Sequence, residues 1–339
     1  MPVYPTSDKF RPVDPVLDKI FAGLANAPSK FIADIVLPVI ADGSSAKSGS
    51  ENFSTGTIQR VSQDGLFGDL SLSNERNPGS TFNRSKGVQL DPLTYSTQYY
   101  GLESLVDLDE EARAQLGGRM GLKQLAMAPV VTTLKVEKEI RVAAFFQTAA
   151  NWDDTVTLAG ADQWSAVTSD PIGDIDAGVE AVGAWGPDAD TIIFDRESAS
   201  SLRKNPVFLQ FLGDQLNRQI VNDATIASLM MQHWGLKAIF AKARKKTSLD
   251  APGDTTPTLA NIWTDTVWIG ALGGANAVPL GGGAIKVDGI AAGRVVESGW
   301  QMREYDAPER KSVVQQIDYS EVDVAILAEL GYTIVDTTA

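Results

Sequence analysis

The stretch VVTTLKVEKEIRVAAFFQTAANW, residues 130–152, decides the fold. Pro129 stands just before it, and the spacing predicts a helix from about Val130 to Thr148. At helical spacing Val131, Leu134, Val142, Phe145, Phe146 and Ala149 share one side, interrupted by Lys138. Val136, Ile140, Ala143 and Ala144 share the opposite side. Glu137 and Arg141 form an i,i+4 pair on one flank. Two apolar faces predict a helix covered on both sides, a structural spine rather than a surface helix.

Upstream, prolines at positions 2, 5, 12, 15 and 28 make residues 1–30 an extended arm. A short helix signal lies inside it. Asp14 is a candidate N-cap, Pro15 suits the first helical position, and Leu17, Ile20, Phe21 and Leu24 form one apolar stripe. A helix this short is marginal alone, so the stripe must bury against its own domain or a neighbouring chain. FIADIVLPVI (31–40) reads as a buried strand, followed by a loop. Residues 50–87 are polar and glycine-punctuated, with short alternations such as GTIQRV, and read as a long exposed hairpin or loop. LTYSTQYYGL (93–102) places Leu93, Tyr95, Thr97 and Tyr99 on one strand face. A helix follows, capped by Asp107 or Asp109.

Downstream of the spine, Asp170 and Pro171 open a helix, and DTIIFD (190–195) is a short buried strand. Segments 196–212 and 222–235 read as two helices, and LKAIFAKA (236–243) and DTVWIGAL (265–272) as strands. The tail from residue 293 is mostly strand-like. Helices and strands mix without a βαβ rhythm, which predicts α+β rather than a doubly wound sheet.

Composition removes most chemistry. The 339 residues contain no cysteine and one histidine, His233, so thiol nucleophiles, disulfides and multi-histidine metal sites are excluded within one chain. A net charge of −14 opposes ordinary nucleic-acid binding and suits a protein that stays dispersed at high concentration. No apolar run is long enough to span a bilayer, and the first residues lack an export signal, so no membrane contact is expected.

The motif tests agree. WIGALGGANAVPLGGG (268–283) looks like a strand feeding a phosphate loop. Gly283 is followed by Ala284, and the dinucleotide spacing from Gly281 meets Lys286, so the glycines read as a turn. Ser44–Lys47 and Ser201–Lys204 both match S-x-x-K, but its companion motifs are missing. Asp170, Asp174 and Asp176 crowd together, yet the twelfth position from Asp174 is Trp185, not an acid, so they read as helix capping rather than calcium binding. His233 beside Trp234 reads as structural. Lys237, Lys242, Arg244, Lys245 and Lys246 form a basic cluster, read as a solvated strand end. No catalytic, cofactor-binding or metal residue is assigned.

The order of segments resembles the major capsid proteins of tailed bacteriophages, in particular the lambda-like major capsid protein E family, over roughly residues 10 to 335. SKFIADIVLPVI, TYSTQYYGLESLVDLDEEARA, LKVEKEIRVAAFFQTAANW, SDPIGDIDAGVEAV and DADTIIFDRESASSLRKNPVFLQFL carry it in sequence, with ATIASLMMQHWGLKAIFAKARKKT and the terminal strands after them. The resemblance implies an HK97-like fold in four parts. These are an N-terminal arm and first strand (1–45), an extended loop (46–92), a peripheral domain with the spine helix (93–170 and 296–339) and an axial domain (171–295). It implies no enzyme and no cofactor. The implied function is a subunit that assembles with copies of itself, as hexamers and pentamers, into an icosahedral virion shell built in the host cytoplasm. Separate scaffold, portal and decoration proteins and non-specifically contacted double-stranded DNA are the implied partners. The stripe Leu17, Ile20, Phe21 and Leu24 becomes an expected inter-subunit contact. An encapsulin-like nanocompartment, a tail or decoration protein, and a soluble hydrolase using His233 are the competing readings.

Overall fold

A computed structural model describes residues 10–11, 21, 31–42, 54–61, 90–116, 121–213, 221–247, 258–273, 285–287 and 290–338. The sequence expectations for the glycine loop beyond residue 273 and for 62–89 lie outside these residues.

The largest sheet is built on two long strands, β13 (Ala292–Ala307) and β14 (Ser312–Ala325), joined by a tight turn at Pro308–Arg310. Strand β5 (Gln98–Asp107) pairs antiparallel with β14, and β1 (Phe10–Arg11) with the far side of β13. Strand β2 (Val39–Asp42) adds parallel to the start of β13. Two register shifts between Val296 and Gln301 let β13 bend, as bulges do. A helix, α3 (Leu122–Gln147), packs against β5 and β14.

The second sheet runs in the order β6 (Asp154–Thr157), β15 (Gly331–Val335), β11 (Thr266–Gly270), β7 (Thr191–Phe194), β8 (Lys237–Phe240). Residues 331–335 thus pair with β11 of the 171–295 segment, and residues 154–157 join the sheet through them. Strand β11 is covered on both faces. Trp268 meets Phe146 and Trp152 from the spine side, with ring centroids 4.9 and 5.2 Å away. Ile269 on the other face meets Gly178 of α4 (Pro171–Gly183), where a Cβ would lie 2.8 Å from the Ile269 side chain. Gly178 is therefore fixed by close approach, not by backbone freedom. One apolar core joins α3 to this sheet through Val142, Phe146, Trp152 and Trp268.

A smaller sheet holds β3 (Thr55–Val61) and β4 (Leu90–Ser96) as an antiparallel pair in register from Thr55↔Ser96 to Val61↔Leu90, with β12 (Ile285–Val287) parallel to β3. This pair is the base of the expected excursion. A separate two-stranded ribbon pairs β9 (Arg244–Lys246) with β10 (Leu259–Asn261).

Several expectations are met. Asp107, not Asp109, caps α2 (Leu108–Leu116), accepting the Asp109 and Glu110 amides. Asp170 caps α4 with Pro171 in its first turn. The short buried strand at 191–194 and the strands of the tail are present.

Others need correction. The spine begins at Leu122, so Pro129 lies inside it. Proline deprives the Leu125 carbonyl of its helical partner, but Leu125 and Pro129 both face solvent, where water can serve instead. Of the two expected faces, the second is covered in part, with Ala143 buried and Val136 and Ile140 packed against the core. The buried stripe of the spine is Met127, Val130, Val131, Leu134, Lys135, Lys138, Glu139, Val142, Ala143 and Phe146. Val136 and Ile140 are only half-buried and Ala144 is exposed. The 31–40 segment is not one strand. Ala33–Val36 makes a helical turn, α1, ended by extended Leu37 before Pro38, and only the residues from Val39 enter a sheet. An unbroken apolar run suits either conformation, so periodicity could not separate them. The 196–212 helix is two, α5 (Arg196–Leu202) and α6 (Pro206–Gly213). Pro206 has no amide to continue the first, and Asn205 caps the second by accepting from Val207 and Phe208. The strand over 93–102 breaks at Thr97, leaving Tyr99 69% exposed.

Candidate functional site

Two kinds of group are candidates for function: those that hold the parts of the chain in one shape and those it shows to other molecules. The first are concentrated on α3. Lys138 donates to Asp34 Oδ1 at 2.7 Å and Glu321 Oε2 at 2.8 Å. Arg294 of β13 pairs with Asp323 at 2.7 Å, lies 3.6 Å from Glu321, and donates to the Ala33 carbonyl at 2.9 Å. Arg141 completes the group, 3.3 Å from Glu321 Oε1 and 2.8 Å from the Tyr319 hydroxyl, with its guanidinium 3.5 Å from the Tyr100 ring centre. Three cations therefore meet three carboxylates. Lys138, Arg294 and Glu321 are each nearly inaccessible to water. Burial opposes the Arg294 charge, but Asp323, Glu321 and Asp34 outweigh it and hold the guanidinium above its ordinary value.

Next to Lys138 in the chain, Glu139 is fully buried. It accepts the Ala33 amide at 2.8 Å and the Trp263 indole N–H at 2.7 Å. Burial raises its pKa, partly countered by these donors. The first turn of α1 has no cap from its own sequence, and Glu139 supplies one from 106 residues away. The spine thus ties down the N-terminal segment, the β13–β14 pair and the turn before β11 through adjacent polar side chains.

Of the arm stripe, Phe21 is buried against Met127, Val130, Val131 and Leu134 of the spine and Ile317 and Tyr319 of β14. Leu17, Ile20 and Leu24 lie outside the described residues. At the base of the 55–96 hairpin, Glu297 accepts hydroxyls from Thr97 (2.5 Å), Ser320 (2.8 Å) and Tyr99. Burial would raise the Glu297 pKa, but these three donors hold it below the ordinary value. Nothing in the local sequence signals this meeting, because Thr97 lies 200 residues and Tyr99 198 residues from Glu297.

The residues tested for chemistry stand elsewhere. His233, at the end of α7 (Asp223–His233), is exposed and packs edge-on to Trp234 and Phe211. Asp174 accepts the Trp164 indole at 2.8 Å, and Asp176 that of Trp234 at 2.5 Å. Carboxylates of Asp195, Glu197 and Asp265 lie within 4.8 Å of one another, but each has structural work. Asp195 caps α5 through the Glu197 and Ser198 amides, Glu197 accepts from Asn261, and Asp265 from Thr338. Burial, opposed by Ser198 and the capping amides, pushes Asp195 up to about 6.

The whole fold matches several solved structures. A phage-related protein from Bordetella bronchiseptica is 17% identical and superposes over 96% of this chain and 98% of its own, with a TM-score of 0.65. The capsid of the Myoviridae phage XM1 is 9% identical, covering 89% of this chain and 90% of that one, with a TM-score of 0.52. A virus-like particle from Pyrococcus furiosus is 11% identical over 94% and 96%, with a TM-score of 0.51. No protein-family model and no curated protein matches the sequence, so the lambda-like family in particular stays a resemblance. The chain has the HK97-like α+β fold of phage capsid subunits.

Two predictions follow from the buried charges. Lys138→Met takes one of three cations from buried Glu321, leaving Arg141 and Arg294, and should cost about 1–3 kcal/mol in urea unfolding. The double variant Lys138→Met/Glu321→Leu should recover part of that loss. For Asp195 the folded pKa is raised, so its contribution is greatest below the unfolded value and is lost as pH rises. Between pH 3.8 and about 6, that carboxyl should cost the fold up to about 3 kcal/mol. Asp195→Asn, which can still cap the helix, should flatten the stability profile across that window.

Proposed function

We propose that the chain is the major capsid protein of a tailed bacteriophage, assembling as hexamers and pentamers into an icosahedral shell around double-stranded DNA. The observation that carries this reading is that one continuous HK97-like fold occupies nearly the whole chain, matching a structure described as a phage capsid over 89% of its length. The scarcity of catalytic side chains supports it. Separate scaffold, portal and decoration proteins, non-specific contact with DNA, and assembly in the host cytoplasm belong to the same reading. So does the division into arm (1–45), extended loop (46–92), peripheral domain (93–170 and 296–339) and axial domain (171–295).

The arm has a mechanical role in this account. Of the stripe Leu17, Ile20, Phe21 and Leu24, the first two and Leu24 are the side chains by which it reaches a neighbour. Phe21, buried on its own spine, serves as the root. Contacts between unlike patches on identical chains close into rings, so one subunit can build both hexamers and pentamers. The likeness to the Pyrococcus particle favours one second reading, a protein nanocompartment shell that encloses protein cargo.

Expression of the chain, with negative-stain microscopy, tests the proposal. Closed shells are expected. Nucleic acid inside particles isolated from the native source supports the phage reading, and an enclosed enzyme supports the nanocompartment. Deleting residues 1–28 should leave a folded chain by circular dichroism that makes no closed shells. Normal shells from the truncation would contradict the arm's role, and monomers or tubes from the intact chain would contradict the proposal.

A further inference from the structure

The β9–β10 ribbon is a sheet of two strands with no third strand among the described residues. Such ribbons are marginal alone and gain stability when something packs on them. Its pairing places Lys246 opposite Leu259 and Arg244 opposite Asn261. Because side chains alternate along a strand, Arg244, Lys246 and Leu259 share one face. All three are exposed, Leu259 by 50%. Lys242, two residues before the strand, pairs with Asp223 but remains half-exposed. The ribbon is thus a cationic face with a bare leucine on a chain of net charge −14.

Elsewhere on the same chain is a face of opposite character. Asp176, whose Oδ1 accepts the Trp234 indole of its own chain, and Glu180 stand one turn apart on the exposed side of α4, and Trp185, just beyond the helix, is 40% exposed. Acids beside an uncovered aromatic match cations beside an uncovered aliphatic side chain. Copies this acidic repel one another overall, so a favourable contact must bring a cationic face to an acidic one.

We propose that the β9–β10 ribbon docks on the acidic outer face of α4 in a second copy of this chain, with Arg244 and Lys246 against Asp176 and Glu180, and Leu259 against Trp185. The two faces are different patches, so the contact is heterologous and repeats from copy to copy, as a ring requires. This inference rests on the self-assembly reading and names one of its contacts.

Charge exchange in the full chain tests it. Arg244→Glu/Lys246→Glu and Asp176→Lys/Glu180→Lys should each raise the concentration needed for assembly about tenfold or more, read by light scattering and sedimentation. The chain carrying all four changes should assemble at close to the wild-type concentration. That rescue separates the contact from misfolding, which a second set of substitutions would worsen. Leu259→Ser, which leaves every charge in place, should weaken assembly in the same direction. Wild-type assembly by the ribbon variant, or a fourfold variant no better than either parent, overturns the contact while leaving the shell reading intact. So does a ribbon variant that assembles normally but loses affinity for a DNA duplex, which would make the ribbon a nucleic-acid contact. An unaltered chain that stays monomeric overturns both.

Discussion

Glu321 is buried between Lys138, Arg141 and Arg294, and the placing of the spine helix on the β13–β14 pair depends on that grouping. Any one of these charges alone would be costly in a site without water, so all must be present together. They come from three places in the sequence: the spine helix, strand β13 and strand β14. Asp34 brings in a fourth, the segment that follows the arm. Buried apolar side chains would hold these elements together as strongly, but would tolerate sliding. Charges with fixed partners permit one register of helix on sheet. Glu139 extends that selectivity by holding both α1 and Trp263.

The second body is held differently. Its centre is aromatic, with Phe146, Trp152 and Trp268 packed between the end of the spine and strand β11. The spine therefore passes from an ionic contact near its middle to an apolar one at its C-terminal end. It is the element common to both, which is why a single helix can set their relation.

This division explains what could be read from the sequence. The helical stripe from Val131 to Phe146, the strands of the tail and the Asp170–Pro171 cap depend on local periodicity or local hydrogen bonds, and they were legible. Lys138 was legible only as an interruption of an apolar face, because its partners lie more than 100 residues away. Its burial makes that gap part of the covered face. The α1 turn failed for the same reason: its cap is Glu139, not a neighbouring side chain. Pro129 misled because a proline at an exposed helix position resembles a proline at a helix start. The ribbon's cations were visible as a cluster, but their shared face with Leu259 appeared only once β10 was paired to β9.

The central claim is that the buried charges make the 32–36 segment, the spine and the β13–β14 pair a single cooperative unit. Native-state hydrogen exchange tests it most directly. The account predicts that the amides of Ala33 and Val36, of α3 around Lys138, and of β14 around Glu321 open with one common free energy, and that Lys138→Met lowers all of them together. Exchange at Ala33 and Val36 that is fast and indifferent to the state of Lys138, beside a well-protected spine, would contradict it.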